Sequence, residues 1–322
     1  MRALLRARSR ADSQAGRLRP LSDLAVLRPI RRALLLANPA ARRGGASQRA
    51  ALVAFRAAGV RCDLMPTTYA GHAGELARRF ADAYDAVFTL GGDGTAMEVI
   101  SALAGTERPV GVLPGGTGNL IARSLGVPLY VPRAVRMLLS GDEAQVDLGR
   151  LPDGRRFAFA AGVGIDAAMI EHTPPWLKRR AGVVAYALFA ARAVMRRERF
   201  FVRATVDGEV MERSASAVMI VNFGAVLGEL IVFGPGIRED DGFMDLCVFS
   251  PETLGDSVRV IWRLMRKDFR SDPCVLYRPG RHFLVETEPA RSAQADGELL
   301  GPTPLEVVVE PLAARLLVPR AG

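Results

Sequence analysis

Two glycine-rich segments occupy the same kind of position in the first half of the chain. "GGDGT" (residues 91–95) follows an apolar run that ends at Leu90, and "GGTGN" (115–119) follows one that ends at Pro114; a helical pattern comes after each. Short apolar runs that alternate with helical patterns predict parallel strands covered by helices on both faces. We therefore expect an α/β fold with a parallel sheet over residues 33–147.

The same alternation places the individual elements of this half. Strands are expected over 32–39, 61–66, 83–90 and 108–114, and helices over 48–58, 72–83, 95–104 and 119–125. Ligands of such sheets bind at the carboxyl ends of the strands, where both glycine-rich loops lie.

Both loops have the composition of a phosphate site. Glycine allows positive φ angles and lets a phosphate approach the backbone, and free N–H groups at a helix start attract anions. Tight turns also need glycine, but two such loops at neighbouring strand ends favour a phosphate ligand. Neither loop is a Walker loop or a G-x-G-x-x-G fingerprint.

An acid, Asp93, stands inside the first loop. A carboxylate beside a polyphosphate is stable if Mg²⁺ bridges the two. The alternative is that Asp93 caps the helix expected to start near Thr95. The sequence favours a role in binding magnesium or nucleotide over simple capping.

The second half, residues 148–310, has a different pattern. Alternating segments with turn signals predict a mostly antiparallel β domain, with strands within 200–223, 243–249, 282–287 and 305–310. Asp207-Gly208 predicts a two-residue hairpin turn. Two helical insertions are expected, near 176–197 and 254–269.

Composition narrows the class of protein. The net charge of +9 and pI of about 10.2 favour an acidic partner, although a GC-rich genome also enriches arginine. Three distant cysteines and three scattered histidines argue against disulfides and a zinc site, and suggest a reducing cytosol. No RNA- or DNA-binding motif accompanies the charge, so we expect no nucleic-acid partner.

The termini and apolar runs bear on localisation. Residues 1–32 hold nine arginines and no continuous apolar core, which predicts a flexible basic extension and not a secretory signal. A mitochondrial presequence has a similar composition. The longest apolar run, 181–191, is too short to span a bilayer. We expect a cytoplasmic protein that is soluble or peripheral at the inner face of the membrane.

The segment 257–270 has the spacing of an amphipathic helix. Val258, Ile261, Trp262, Met265 and Phe269 fall on one face, and Arg259, Arg263, Arg266, Lys267 and Arg270 fall on another. The basic face is either an ordinary solvated face or a docking surface for anionic lipid.

Taken together, the motifs resemble the bacterial diacylglycerol kinase family, which shares its catalytic domain with sphingosine and ceramide kinases. The matching segments, in chain order, are "NP" (38–39), "GGDGTAMEVI" (91–100), "LPGGTGNLIARSLGVP" (113–128), "VDLGR" (146–150), "AGVGIDA" (161–167), "DDGFMDL" (240–246) and "DGE" (296–298). The ordered set covers nearly the whole chain apart from the basic extension.

The resemblance implies a two-domain, ATP- and Mg²⁺-dependent kinase that phosphorylates a lipid hydroxyl. Its final strand, about 311–322, is expected to return to the first domain. The implied nucleotide site comprises Asn38, Arg43, Thr67, Gly91, Gly92, Asp93, Gly94, Thr95, Ala96, Met97, Gly116, Thr117 and Asn119. Magnesium would be held by Asp241 and the backbone carbonyls of Arg238 and Phe243, with Asp93 and Asp147 in the surrounding acid and water network. Glu298 matches the general base, with Asp93 as the second catalytic residue.

Two departures leave the acceptor lipid open between diacylglycerol and a sphingoid or ceramide type. Leu120 follows Asn119 where diacylglycerol-directed members commonly have Asp, and Ala41-Arg42 replaces the usual Ser-Gly. A homodimer is compatible with the sequence. The alternatives are an NAD kinase-like enzyme, because those enzymes also carry "GGDG", and a non-catalytic lipid- or nucleotide-binding module.

Overall fold

The computed structural model describes residues 29–40, 44–164, 199–223, 225–226, 231–232, 234 and 236–320. Most of the predicted basic extension, Arg43 and the helix predicted over 176–197 lie outside these residues. The described chain divides into two compact units, which we call the α/β unit (29–146 and 312–320) and the β unit (147–311). None of the helices it contains is long and apolar enough to cross a bilayer.

A parallel sheet forms the centre of the α/β unit. Its first four strands are β1 (Arg32–Ala37), β2 (Arg61–Pro66), β3 (Ala86–Gly91) and β4 (Val110–Pro114), in the order β2-β1-β3-β4. Every residue of β3 is buried, as in a strand covered on both faces. The predicted α/β class is confirmed.

Helices pack on this sheet through apolar side chains. The described helices of the unit are α1 (Gly44–Ala57), α2 (His72–Phe80), α3 (Asp93–Ala102), α4 (Leu120–Ser124) and α5 (Val131–Leu139). Phe55 of α1 meets Phe88 of β3 edge to face, with ring centroids 4.8 Å apart. Such aromatic pairs add stability to the fold beyond the contribution of the apolar area that they bury.

The β unit is a sandwich of antiparallel strands. Its elements are β5 (Asp142–Arg150, which begins in the α/β unit), β6 (Arg156–Phe157), β7 (Ala160–Val163), β8 (Phe200–Val206), β9 (Glu209–Ala215), β10 (Ala217–Val221), β11 (Ala225–Val226), β12 (Ile231–Val232), β13 (Met244–Phe249), α6 (Leu254–Met265), β14 (Val275–Gly280), β15 (His282–Glu288), β16 (Ser292–Ala295), β17 (Glu298–Pro302) and most of β18 (Leu305–Val318). One sheet of the unit has the strand order β14-β13-β10-β7-β16-β17. The other set of hydrogen-bonded strands has the order β18-β15-β8-β9.

Alternation along the strands builds the core of this sandwich. In β8 every second residue is buried, so that one face of the strand is apolar. Val202 and Phe283 from one run of strands belong to the same buried cluster as Ile220 and Leu246 from the other. The predicted antiparallel β-sandwich is confirmed.

The last strand, β18, passes from one unit into the other. Residues 305–308 pair antiparallel with β15, whereas Leu316 pairs in parallel with Val110 of β4. Gly105 N also donates to Ala313 O, at 2.7 Å. Residues 312–318 therefore supply the strand beside β4 in the α/β unit.

Candidate active site

The two glycine-rich loops lie side by side in the structure. Gly91 at the end of β3 pairs with Pro114 at the end of β4, and Gly115 N donates to Gly91 O at 2.9 Å. Both loops lead directly toward helix starts, α3 and α4. The α/β unit thus presents two backbone loops and two helix starts at the carboxyl end of its sheet, the usual ligand position of this architecture.

Gly115 and Gly116 of the second loop allow it to pack closely on the first loop. A Cβ added at Gly115 would lie 2.8 Å from Gly91 N, and one at Gly116 would lie 2.6 Å from the Cα of Gly92. None of these glycines has a positive φ angle. The expectation that positive φ explains them was wrong, because close backbone approach does. Gly94 differs, since a Cβ there would meet nothing within 4 Å.

Asp93 does not cap its own helix. The N-cap of α3 is Gly92 in an extended conformation, with no side-chain cap hydrogen bond, and α3 begins at Asp93 itself. The alternative role as a cap near Thr95 was therefore wrong. Asp93 Oδ1 instead accepts a hydrogen bond from Ile121 N at 3.0 Å, which ties α3 to the first turn of α4. A carboxylate in the first turn of α3 is also favoured by the helix dipole.

Asn119 closes the second loop on itself. Its Oδ1 accepts from Gly116 N at 2.8 Å, and its Nδ2 donates to Gly116 O at 2.9 Å. Asn119 has φ 50°, the left-handed conformation that asparagine tolerates. The side chain that we predicted to contact nucleotide thus holds the loop in shape.

The other predicted nucleotide residues fall into two groups. Thr67, Thr95, Ala96 and Met97 are buried in the unit, each with at most 9% exposure. The exposed group contains Gly94, in the first turn of α3, and Thr117, in the second glycine-rich loop. Their contact with nucleotide stays a prediction.

Asn38, also predicted to line the nucleotide site, lies just after β1. Its backbone N donates to Leu90 O at 3.0 Å, so the chain after β1 stays close to the first glycine loop. Its side-chain Oδ1 accepts from Ala40 N at 2.9 Å. Asn38 therefore shapes the turn that follows the strand.

In the β unit, a loop wraps around the buried carboxylate of Asp147. Asp147 is fully buried, its Oδ2 accepts from Gly242 N at 2.7 Å, and its own N donates to Glu239 O at 2.7 Å. Phe243 N donates to Asp241 Oδ1 at 3.1 Å, and Gly242 has φ 77°. The structure therefore brings Asp147 together with the loop that carries the other predicted magnesium residues.

Charges within this loop are strongly coupled. The Arg238 guanidinium bonds both oxygens of Asp240, at 2.8 and 2.9 Å. Burial, with a smaller contribution from the neighbouring charges of Asp240 and Asp241, raises the pKa of the Glu239 carboxyl to about 7, although Arg238 acts in the opposite direction. The loop thus concentrates negative charge around one arginine, a setting that favours an added cation.

A buried asparagine that sequence reasoning missed supports this loop. Asn222 Nδ2 donates to Asp147 O at 2.7 Å and to Ala158 O at 2.8 Å. Two carbonyl acceptors fix the orientation of the amide, so Oδ1 faces away from them; it is buried and finds no hydrogen-bond partner among the residues that the structure describes. A polar residue at the end of the apolar run "AVMIV" was the signal that could have revealed it.

The donor chemistry of this loop fits magnesium. Carboxylate, amide and carbonyl oxygens are the ligands that Mg²⁺ takes, usually with one or two carboxylates and several waters. Within the described residues no group of three His, Cys, Asp or Glu side chains has metal-binding geometry. An ion here would therefore depend on Asp241, main-chain oxygens and water.

Glu298 follows the Asp296-Gly297 turn between β16 and β17. The side chain of Glu298 is exposed at the first position of β17. The Asp296 carboxylate accepts backbone hydrogen bonds from residues 158, 159 and 160, at 2.7, 2.9 and 3.1 Å. Gln294 Oε1 accepts from Gly297 N at 2.8 Å, which fixes the turn from its other side.

Through this turn, Glu298 is connected to the loop around Asp147. Segment 158–160 is held by Asp296, and its Ala158 O accepts from Asn222, which also binds Asp147 O. Asn222 N donates in addition to Phe159 O at 2.9 Å. The turn that precedes the predicted base and the loop around Asp147 thus share one hydrogen-bond network within the β unit.

A cavity of about 190 Å³ in the β unit lies elsewhere. It is lined by the buried side of α6 and the segment after it, including Val260, Leu264, Asp272 and Tyr277. None of the predicted site residues lines it. The cavity therefore gives no support to the predicted site.

Comparison with protein-family models gives two consecutive matches. Residues 32–151 match the model described as diacylglycerol kinase catalytic domain, and residues 160–318 match the model described as YegS C-terminal NAD kinase beta sandwich-like domain. The chain belongs to the diacylglycerol kinase catalytic-domain family.

Individual members of the family extend this likeness. The diacylglycerol kinase of Bacillus subtilis strain 168 is 28% identical over 285 residues, which cover 87% of this chain and 93% of that protein. A protein of Synechocystis sp. described as uncharacterized is 31% identical over 238 residues, 72% of this chain; the matched part is 54% of its length, so this chain spans about half of that relative.

A solved structure shows the same fold. The crystal structure of a candidate diacylglycerol kinase from Bacillus anthracis str. Sterne superimposes with a TM-score of 0.78 at 26% identity, over 91% of this chain and 97% of that one. The family's α/β and β-sandwich architecture is therefore the architecture of this chain.

Proposed function

We propose that the protein is a kinase that transfers the γ-phosphoryl group of ATP to the hydroxyl of a lipid, diacylglycerol or a sphingoid or ceramide type. The observation that carries the proposal is the consecutive match to both family models, over 32–151 and 160–318. The paired glycine loops and the network around Asp147 support it independently.

In the α/β unit, the loops at Gly91–Asp93 and 115–119 bind the nucleotide phosphates. Backbone N–H groups at the starts of α3 and α4 supply positive partial charge to the anion. Gly94 leaves open space above the backbone, which allows close approach of a phosphate oxygen. Asp93 stays anchored to α4 by one oxygen and offers the other to the cation and water network.

In the β unit, Asp241 and the main-chain carbonyls of Arg238 and Phe243 would hold magnesium, with Asp147 fixing the loop that carries them. Magnesium, when bound, neutralises negative charge on the transferring phosphoryl oxygens. Glu298 accepts the proton of the lipid hydroxyl. At the same time, the hydroxyl oxygen bonds to the γ-phosphorus, and the bond between that phosphorus and the leaving ADP breaks. A carboxylate positioned as a general base typically increases the reaction rate by about 10²–10⁴-fold.

The test is phosphoryl transfer to an unselected lipid mixture. The purified protein is incubated with Mg²⁺, radiolabelled ATP and a total lipid extract, and labelled lipids are separated and identified. One labelled lipid supports the proposal and names the acceptor. Failure to label any lipid, while ATP still binds, would favour the non-catalytic binding module.

Asp93→Asn tests the role of the loop acid. Asparagine keeps an oxygen that can accept from Ile121 N, so the tie between α3 and α4 is retained. We expect an unchanged melting temperature and the loss of most turnover, because electrostatic contributions to phosphoryl transfer are several kcal/mol. Normal turnover with a lower melting temperature would make Asp93 purely structural.

An NAD kinase-like activity is the second candidate. The specific observation in its favour is that residues 160–318 match a domain model named for the NAD kinase β-sandwich. Assays with NAD and with diacylglycerol as competing acceptors separate the two functions. Phosphorylation of NAD alone would replace our proposal.

A further inference from the structure

Helix α6 has a fixed start and a clearly buried side. Thr253 Oγ1 accepts from Asp256 N at 3.0 Å, and Asp256 Oδ2 accepts from Thr253 N at 2.9 Å, which forms a capping box. Ser257 and Val260 are buried, and Leu264 packs with Val260 against the cluster of buried residues on the neighbouring sheet.

The opposite side of α6 carries an exposed apolar stripe. We define the stripe as Leu254, Val258 and Trp262, which are spaced four residues apart and are 46%, 60% and 56% exposed. Residues at this spacing lie above one another on one helix face. Just beyond the helix, the Arg266 guanidinium lies 4.9 Å from the centroid of the Trp262 ring.

The arginines predicted to form a basic docking face are mostly engaged with acids. Arg263 Nη1 lies 2.6 Å from Asp272, Arg259 Nη2 lies 2.8 Å from Asp256, and Arg270 Nη2 lies 2.7 Å from Asp268. The Arg270 hydrogen bond holds the pKa of Asp268 well below its usual range. The Arg263–Asp272 pair ties α6 to the chain that follows it, and the three pairs together leave little unpaired charge on that face.

Arg266 is the exception. Within the described residues its side chain forms no ion pair with an acid, and its guanidinium lies over the Trp262 ring. Basic residues also outnumber acidic ones over 254–272. The stripe therefore combines exposed aliphatic side chains, a tryptophan and a positive charge, the combination that binds at the boundary between acyl chains and anionic headgroups.

We propose that the stripe of α6, with Arg266, docks on the surface of an anionic lipid bilayer. Leu254, Val258 and Trp262 insert to headgroup depth, and Arg266 contacts lipid phosphates. A second copy of the chain would also cover an apolar stripe, but Arg266 beside the stripe favours an anionic partner. The inference rests on the proposed function only in that a bilayer would hold the lipid acceptor.

The experiment measures binding to vesicles without ATP. Wild-type protein, Val258→Ser/Trp262→Ser and the control Tyr130→Ser/Val210→Ser are sedimented with vesicles of phosphatidylcholine and phosphatidylglycerol. The control also removes one exposed aromatic and one exposed valine, 67% and 53% exposed. We expect the stripe variant to lose at least about tenfold in partitioning and the control to match wild type.

A second arm tests the charge. Arg266→Ala should lower partitioning about fivefold on anionic vesicles at low salt and leave binding to pure phosphatidylcholine unchanged. The control Arg203→Ala removes an arginine whose side chain is also exposed. We expect the control to bind as wild type does.

Fluorescence reports on insertion directly. The chain has two tryptophans, so Trp176→Phe leaves Trp262 as the reporter. A blue shift and protection from an aqueous quencher in anionic vesicles support the proposal. It is overturned if wild type does not bind, if the stripe variant binds equally well, or if the stripe variant loses self-association in sedimentation velocity while vesicle binding persists.

Kinase assays keep the two proposals separate. Loss of vesicle binding by the stripe variant, with normal phosphorylation of a short-chain lipid dispersed in detergent, supports both proposals. Vesicle binding by a protein that phosphorylates no lipid supports docking and contradicts the proposed function. Phosphorylation of dispersed lipid by a wild-type protein that does not bind vesicles contradicts docking alone.

Discussion

The β unit carries the tripeptide Asp-Gly-Glu at two hairpin turns that share one backbone geometry. Asp207 and Gly208 have φ 49° and 87°, and Asp296 and Gly297 have φ 45° and 88°. In both turns the Asp carboxylate accepts backbone N–H groups of another segment, and the following glutamate is exposed. The tripeptide by itself therefore encodes a turn, because two φ angles above zero suit Asp-Gly.

What differs is the segment to which each turn is anchored. Asp207 accepts from Arg281 and His282, at the start of β15. Asp296 accepts from 158–160, a segment that Asn222 connects to Asp147. A functional role for one glutamate and not the other must come from this connection, and four predictions test it.

The largest effect is expected at the two glutamates. Glu298→Gln should lower turnover about 10²–10⁴-fold, because the amide cannot take the proton of the lipid hydroxyl. Glu209→Gln is the matched control and should leave turnover unchanged. Turnover is measured with the lipid identified in the labelling experiment, and ATP binding is measured by calorimetry. Equal effects of the two variants, or reversed ones, would exclude Glu298 as the base.

The two turn aspartates should separate stability from activity. Asn also adopts φ near +50°, so Asp296→Asn and Asp207→Asn keep the turn but weaken charge-assisted hydrogen bonds to the backbone. We expect both variants to lose about 1–3 kcal/mol in unfolding free energy. Only Asp296→Asn should also lower turnover, by about tenfold if the segment 158–160 shifts. If Asp207→Asn lowered turnover by the same amount, the segment to which Asp296 is anchored would have no special role in activity.

The two turn glycines should behave alike. A Cβ at Gly208 or Gly297 would meet nothing within 4 Å, so Ala at either position costs only the strained backbone. That cost is about 1–2 kcal/mol at positive φ. Thermal unfolding should show the same loss of a few degrees for Gly208→Ala and Gly297→Ala. A clear difference between them would show that the two turns are not equivalent locally.

The smallest effect is the coupling to Asn222. The double variant Asp296→Asn/Asn222→Ala should deviate from additivity by about 0.5 kcal/mol or more, because both residues bind the same segment. The pair Asp207→Asn/Asn222→Ala should be additive. Denaturant unfolding of the single and double variants measures both values. Additivity in both cycles would remove the proposed connection between Glu298 and the Asp147 loop.

Much of the fold followed from local pattern. Strands covered on both faces, such as β3, are apolar throughout, and alternating strands such as β8 bury every second residue, so both sheet types were predictable. The residues at which helices and strands begin and end were less predictable. Helix α3 starts at Asp93 and not near Thr95, because extended Gly92 already ends the loop. That shift of two residues changed the role available to Asp93.

The site was less predictable because its contacts join distant parts of the chain. Asp147 is held by Gly242, and Asp296 by residues 158–160. Similarly, the arginines of α6 formed a basic face only while Asp268 and Asp272, which follow the helix, were left out of the pattern. Local periodicity describes one element, whereas hydrogen bonds and ion pairs between elements depend on the complete fold.

The pairing of β18 with β4 has a consequence for synthesis on the ribosome. Leu316 pairs with Val110, although β18 and β4 are far apart in the sequence. While the β unit is being translated, the edge of β4 has no strand beside it and can pair with other chains. Domains usually fold as they emerge. Here the sheet of the α/β unit can be completed only after β18, which follows the β unit in the sequence, has been synthesised.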